Sequence, residues 1–144
     1  MAVSSAEFEA LTRPAVLAAL REHADMDSRA FALRFGGRSE WPVRAMAEQL
    51  DCRRRAADKL SGWPIADMLF DKQGIEQCSH GLVARWRAGL MAGRRLWDVC
   101  GGLGIDAWAA CTAGCAVTHC ELDPDRARLA AWNHRHLHID HVPG

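Results

Sequence analysis

The sequence lacks an excess of either charge, a long apolar run and any C-x-x-C pair. Its 18 basic and 18 acidic residues cancel, which excludes a global basic field. No apolar run approaches the length of a membrane-spanning helix, so no membrane partner is expected. The six cysteines follow no metal-type spacing, and the N-terminus lacks the basic start and apolar core of a signal peptide. We therefore expect reduced thiols in a cytoplasmic protein.

The first half of the chain has helical periodicity throughout. Residues 1–76 contain short apolar stripes at helical spacing, separated by residues that begin or end helices. Ser5 and Pro14 are placed to begin two short helices, and Pro42 a longer one. We predict a small all-helical domain over residues 1–76.

A different pattern follows in the second half. Residues 96–99 predict a short buried strand, three glycines follow, and residues 105–112 predict a helix. Residues 116–120 predict a second strand, which ends on the acidic Glu121. Strand, glycine loop, helix, strand and acid in this order are typical of the mononucleotide-binding half of a Rossmann-like unit.

The residue types in this unit suit a nucleoside ligand. Gly101, Gly102 and Gly104 let a ligand approach the backbone closely, and the helix that follows presents unpaired N–H groups. Glu121 lies about 20 residues after the glycines, a spacing at which a carboxylate accepts both hydroxyls of a ribose. The spacing departs from G-x-G-x-x-G, which disfavours an NAD-type oxidoreductase.

The glycine segment resembles motif I of the class I S-adenosylmethionine (SAM)-dependent methyltransferases, D/E-x-G-x-G-x-G. Asp98 then matches the leading acid, Cys100 replaces the first glycine, and Gly102 and Gly104 match the other two. A leading acid suits the cationic methionine end of SAM. Glu121 matches the motif II acid on the adenosine ribose. The resemblance implies SAM as the cofactor.

Three segments narrow the resemblance. Residues 55–63, 76–79 and 98–106, in this order, resemble a group of bacterial methyltransferases with a helical N-terminal domain and a THUMP-like C-terminal domain. That resemblance implies that Gln77 and Ser79 contact the cofactor. The alternative is that they are a helix cap and its neighbour.

The elements on either side of the first strand add further expectations. Ser79 is placed to cap a helix in which Leu82, Trp86 and Leu90 are spaced to pack on the sheet. Asp106, just inside the helix after the glycines, either reaches the methionine end of SAM or complements the helix dipole.

The chain is too short for a complete seven-stranded methyltransferase fold. It supplies two strands, and a third only if residues 139–142 begin one. The Asp/Asn-Pro-Pro-like turn expected after the fourth strand is absent, since the only proline after Pro124 is Pro143. We therefore predict a truncated N-terminal part of a methyltransferase, name no catalytic residue, and expect this part alone to be inactive.

Grouped histidines and arginines raise the question of metal binding and of RNA binding. His134, His136, His138 and His141 suggest a metal, but the first three alternate by two along a predicted helix and point in different directions, so no metal site is predicted. The arginine clusters, at residues 53–55 and 85–95, suit either RNA phosphates or a solvated helix face.

These observations predict an α/β fold class for a chain of two parts. Residues 1–76 form a helical domain, and residues 77–144 form a partial Rossmann-like βαβα unit that binds SAM. The resemblance implies methyl transfer to RNA. The alternative is a non-catalytic helical interaction module with a partial nucleotide-binding fold. Unpaired strand edges in a half sheet also predict a homodimer.

Overall fold

The computed structural model of the protein describes residues 3–144, a helical part followed by alternating strands and helices. Residues 65–67 form a single 3₁₀ turn. The elements are α1 (Ser5–Leu11), α2 (Pro14–Glu22), α3 (Ser28–Phe35), α4 (Val43–Lys59), α5 (Lys72–Gln77), α6 (Gly81–Leu90), β1 (Arg95–Asp98), α7 (Ile105–Thr112), β2 (Ala116–Glu121), α8 (Pro124–Asn133) and β3 (Ile139–Pro143).

Local capping chemistry sets where the first helices begin. Ser4, one residue earlier than predicted, caps α1 in a reciprocal capping box with Glu7. Pro14 occupies the first turn of α2, where its missing N–H costs nothing, and Pro42 precedes α4 as predicted. The predicted helical starts are therefore right to within one residue.

The sheet has three parallel strands in the order β1-β2-β3. Asp98 pairs in register with His119, and His119 with His141, so these three side chains project from the same sheet face. The buried side chains on that face pack against α7 in the core. On the opposite face Trp97 and Val99 are largely exposed. The sheet thus has one covered and one open face.

A buried extended segment joins the helical part to the sheet. The backbone of Phe70 exchanges two hydrogen bonds with the side-chain amide of Gln49 in α4. The backbone of Leu69 exchanges two with the side chain of Asn133 at the end of α8. Each amide satisfies one N–H and one C=O that burial would otherwise leave unpaired. The two parts therefore share one continuous core.

Helix α6 differs from its predicted orientation. Leu82, Trp86 and Leu90, predicted to pack on the sheet, are 69%, 66% and 63% exposed. The helix buries its small side instead, with Ala84 and Ala88 against the alanine-rich α7. Small residues let two helices approach closely, and this contact, not the apolar stripe, determines which side of α6 is buried.

Within residues 3–144, none of the helices combines the length and apolarity that a bilayer crossing requires.

Candidate functional site

A cavity of about 370 Å³ lies at the carboxyl ends of β1 and β2, beside the glycine loop. Ligands bind to open parallel sheets at this edge. Six of the nine residues predicted to bind cofactor line it, namely Gln77, Ser79, Cys100, Gly102, Asp106 and Glu121. The sequence did not identify the other lining residues, which are Gly74, Cys78, Ile105 and Arg126.

The glycine loop turns tightly from β1 into α7. Gly102 and Gly104 have φ values of 54° and 76°, which side-chain-bearing residues rarely adopt. The Gly104 N–H donates to the Gly101 carbonyl at 2.8 Å, and the Gly101 N–H to the Cys120 carbonyl at 3.1 Å. Among the described residues only glycines have positive φ. Cys100 therefore occupies ordinary backbone, and its position does not require glycine.

Glu121 ties this loop to the end of β2. Its Oε2 accepts the Gly102 N–H at 2.7 Å, and its Oε1 accepts the Asp123 N–H at 2.9 Å. Each carboxylate oxygen has a second lone pair, so both can still accept a hydroxyl from a ligand in the cavity. Glu121 thus shapes the loop and offers two acceptors to the cavity.

Ser79 and Asp106 meet across the cavity wall. The Ser79 hydroxyl donates to Asp106 Oδ2 at 2.5 Å, and Arg87 donates to both side chains at 3.1 and 3.2 Å. The predicted cap role of Ser79 is wrong, because His80 precedes α6 and its Nδ1 accepts the Leu82 N–H. Nothing in the sequence singles out Arg87 for this role; it reaches the pair from the second turn of α6.

Arg126 is held at the cavity by a buried ion pair. Its guanidinium lies 3.2 Å from Asp71 Oδ2, and the two side chains are 13% and 3% exposed. Asp71 also accepts the Gly74 N–H at the start of α5. The capping role of Asp71 is visible in the sequence, whereas its pairing with a residue 55 positions later is not.

Asp98 lies beneath the glycine loop and outside the lining of this cavity. Its Oδ2 is buried and has no hydrogen-bond partner, and a Cβ atom on Gly101 would lie 3.1 Å from it. Burial, reinforced by the negative charges of Asp106 and Glu121, raises the pKa of Asp98 to about 6. The carboxylate is therefore poised to gain from a nearby cation.

We expect Asp98→Asn to stabilise the protein at pH 7.5. A carboxyl group whose pKa is raised in the folded state loses stability as the pH rises through that value. Because Asp98 is partly solvated, removing its charge is expected to raise the free energy of unfolding by about 1–2 kcal/mol. Urea denaturation at pH 7.5 and at pH 3.5 checks this. The gain should vanish at pH 3.5, where both folded and unfolded wild-type chains carry a largely neutral Asp98, and an equal gain at both pH values would contradict it.

Gly101 and Gly104 also do not line the cavity. Because each lacks a side chain, a histidine ring packs against its backbone. A Cβ atom on Gly101 would lie 2.3 Å from the His119 ring, and one on Gly104 would lie 2.2 Å from the His134 ring. His141 completes the group, with the three ring centroids 5.1–5.4 Å apart. His119 was not identified from the sequence.

The remaining C-terminal histidines, His136 and His138, are exposed. Over residues 3–144 no three His, Cys, Asp or Glu side chains are arranged to hold a metal ion.

Known proteins resemble this chain in sequence and in fold. No established family profile matches this chain. Two curated proteins, from two strains of Mycobacterium tuberculosis, are 32% identical to it over 104 residues, and each is named an uncharacterized S-adenosylmethionine-dependent methyltransferase. The alignment covers 69% of this chain and 28% of each relative, so the chain spans less than a third of their length.

A solved structure matches the fold. A crystal structure from Porphyromonas gingivalis W83, of a protein provisionally named a methyltransferase, superposes with a TM-score of 0.65 over 91% of this chain and 35% of its own length, at 20% identity. This likeness confirms the predicted fold class, a helical part followed by a partial Rossmann-like unit. The likeness in sequence is to proteins named methyltransferases, and the likeness in structure is one of fold.

Proposed function

We propose that this chain forms the SAM-binding part of a SAM-dependent methyltransferase whose methyl acceptor is RNA. The observation that carries the SAM assignment is the cavity at the strand ends, where the glycine loop, Glu121 and the Ser79–Asp106 pair converge. The names of the curated relatives point to the same cofactor.

The residues at the cavity fit SAM better than a dinucleotide. SAM has a cationic methionine end and no phosphate, so carboxylates on the cavity wall favour it. Asp106 and Glu121 both face the cavity, and the unpartnered Asp98 lies behind the loop. The pyrophosphate of NAD would meet these carboxylates with like charge. We assign Glu121 to the ribose, Asp106 to the methionine end, and the backbone of Gly102 to close approach of the ligand.

When bound, SAM supplies a methyl group on a sulfonium, which an acceptor atom attacks in line. The contribution of this chain is to orient the cofactor and exclude water from it. Glu121 fixes the ribose, and Ser79 with Arg87 holds Asp106 in place. We assign no catalytic residue.

Differential alkylation of cysteines tests where the cofactor binds. Cys100 is exposed and lines the cavity, whereas Cys120 is half-buried and does not line it. We expect S-adenosylhomocysteine (SAH) at saturating concentration to slow iodoacetamide labelling of Cys100 at least about tenfold. Labelling of Cys120, read in the same digest by mass spectrometry, should not change. Equal labelling of Cys100 with and without bound SAH would contradict the placement of the cofactor.

The RNA assignment is supported by one of the two arginine clusters. In the cluster at residues 53–55, Arg53 is buried and donates to the Met68 carbonyl, and Arg54 and Arg55 pair with acidic residues. These groups are engaged within the chain. Residues 80–97 contain four arginines, two tryptophans and no acidic residue. Arg85 and Arg87 are also engaged, with the Gly62 carbonyl and with Asp106, so the assignment rests on Arg94 and Arg95.

The aromatic residues of this segment strengthen the RNA assignment. Trp86 and Trp97 are both largely exposed, and Arg94 and Arg95 are exposed next to the start of β1. Exposed aromatic rings beside cations suit single-stranded nucleic acid, because bases stack on the rings while phosphates pair with the cations.

We expect the double variant Arg94→Gln/Arg95→Gln to bind single-stranded RNA at least about fivefold more weakly than wild type, with a salt slope reduced by about 1–2. Fluorescence anisotropy with a labelled 15-nucleotide RNA measures both. Arg29→Gln/Arg34→Gln removes the same charge from exposed positions on α3 and is the matched control. Equal losses in both variants would contradict a specific surface. A second copy of the chain is the alternative occupant, and light scattering with and without RNA separates the two.

A further inference from the structure

The glycine loop lies directly on two buried histidine rings. His134 caps the C-terminal end of α8, and His119 lies in the middle of β2. Both are almost completely buried, and their rings occupy the space that side chains at Gly104 and Gly101 would need. The absence of side chains at these glycines therefore serves the packing beneath the loop as well as the cavity above it.

The hydrogen bonds of His134 define its tautomer. Its Nε2 lies 2.8 Å from the Gly104 carbonyl oxygen, which can only accept, so Nε2 carries the proton. Its Nδ1, which is then an acceptor, lies 3.2 Å from Nε2 of His141. His141 must therefore donate through its Nε2–H. A short chain of donors runs from His141 through His134 to the loop carbonyl.

The surroundings keep this imidazole neutral. Burial lowers the pKa of His134 to about 4, and the nearby His119 and His141 act in the same direction. Burial also lowers the pKa values of His119 and His141. The carboxylates near the cluster are Asp98 on β1, which pairs in register with His119, Glu121 on β2, and Asp140, which precedes His141 on β3. Trp108 of α7 covers the His134 ring from the remaining side, at 6.3 Å between centroids.

We propose that His134 is a positioning residue: its neutral Nε2–H imidazole, oriented by His141, holds the Gly104 carbonyl and so fixes the turn from the glycine loop into α7 beside the cofactor cavity. Gly104 is the N-cap of α7 and has no side chain to stabilise its own turn. The donor from His134 supplies that stabilisation from below. The consequence for ligand affinity rests on the proposed SAM function.

Two substitutions separate the donor from the shape. In His134→Gln an amide N–H lies the same number of bonds from Cβ as Nε2, so a donor to the Gly104 carbonyl is retained. His134→Phe keeps a flat ring but has no donor. His136→Gln, at an exposed neighbouring position, is the matched control. Calorimetric titration with SAH at pH 7.5 compares the four proteins.

We expect His134→Gln and His136→Gln to bind SAH within about threefold of wild type, and His134→Phe at least about tenfold more weakly. Wild-type affinity in His134→Phe would overturn the proposal. A loss in His134→Gln as large as that in His134→Phe would also overturn it, because shape alone would then decide the result.

Nuclear magnetic resonance of the unliganded proteins decides the positioning claim independently of SAH. The imidazole ¹⁵N shifts of His134 should show the Nε2–H tautomer at pH 7. The amide signals of Gly102 and Gly104 should move in His134→Phe and overlay with wild type in His134→Gln. A cationic or Nδ1–H ring, or loop signals unmoved in both variants, would overturn the proposal. If these signals behave as expected but wild type does not bind SAH, the proposed function fails and the positioning role stands.

Discussion

Glu121→Ala is expected to weaken SAH binding at least about thirtyfold, which corresponds to about 2 kcal/mol. The variant lacks the carboxylate that we propose accepts two hydrogen bonds from the ribose hydroxyls, and bonds to a charged group contribute about 1.5–3 kcal/mol each. It also lacks the acceptor for the Gly102 N–H, a hydrogen bond that shapes the loop. Calorimetric titration at pH 7.5 measures the change.

A ligand variant separates the two roles of Glu121. With the SAH analogue that lacks both ribose hydroxyls, the difference between wild type and Glu121→Ala should shrink to about threefold or less, since only the loop anchor then differs. Glu22→Ala, an exposed carboxylate at the end of α2, is the control and should bind both ligands as wild type does. An undiminished difference with the analogue would show that Glu121 shapes the loop without contacting the ribose.

Asp71→Ala is expected to lower the free energy of unfolding by about 3–5 kcal/mol, because removing one partner of a buried pair leaves the other charge unpaired. Asp71 is almost fully buried and Arg126 largely so. The substitution also removes the acceptor for the Gly74 N–H that begins α5. Urea denaturation followed by far-ultraviolet circular dichroism measures the loss.

An exposed pair provides the matched control for this prediction. Asp51 and Arg55 form an ion pair one turn apart on α4, with both side chains about 40% exposed. Asp51→Ala should cost about 0.5 kcal/mol or less. The double variant Asp71→Asn/Arg126→Met should recover part of the loss, since neither charge then remains buried. A loss below about 1 kcal/mol in Asp71→Ala would show that water reaches the pair.

The sequence predicts those parts of the site whose residues lie close together along the chain. The glycines, Cys100 and Glu121 belong to one strand–loop–helix–strand segment, whose hydrogen bonds fix their relative positions. Once that segment folds as a parallel pair, Glu121 necessarily lies beside the loop. For Gln77 and Ser79, the family resemblance predicts contact with the cofactor, and both line the same cavity.

The parts that the sequence does not predict depend on pairing between distant elements. Arg126 meets Asp71, and His134 meets Gly104, only because α8 crosses the covered face of the sheet. His119 looks like an ordinary strand residue until its register with Asp98 and His141 is known. For α6, the periodic pattern gave the helix but not its partner, because a close contact between alanines determined which side is buried.

Calorimetric titration of the wild-type chain with SAH, with NAD as the competing ligand class, tests the central claim most directly. We expect SAH to bind with a dissociation constant in the micromolar range, or about −8 kcal/mol, and NAD to show no heat above dilution. Binding of NAD as tight as that of SAH would contradict the SAM assignment. Absence of any SAH binding would contradict the claim that the cavity in this chain is by itself a cofactor site.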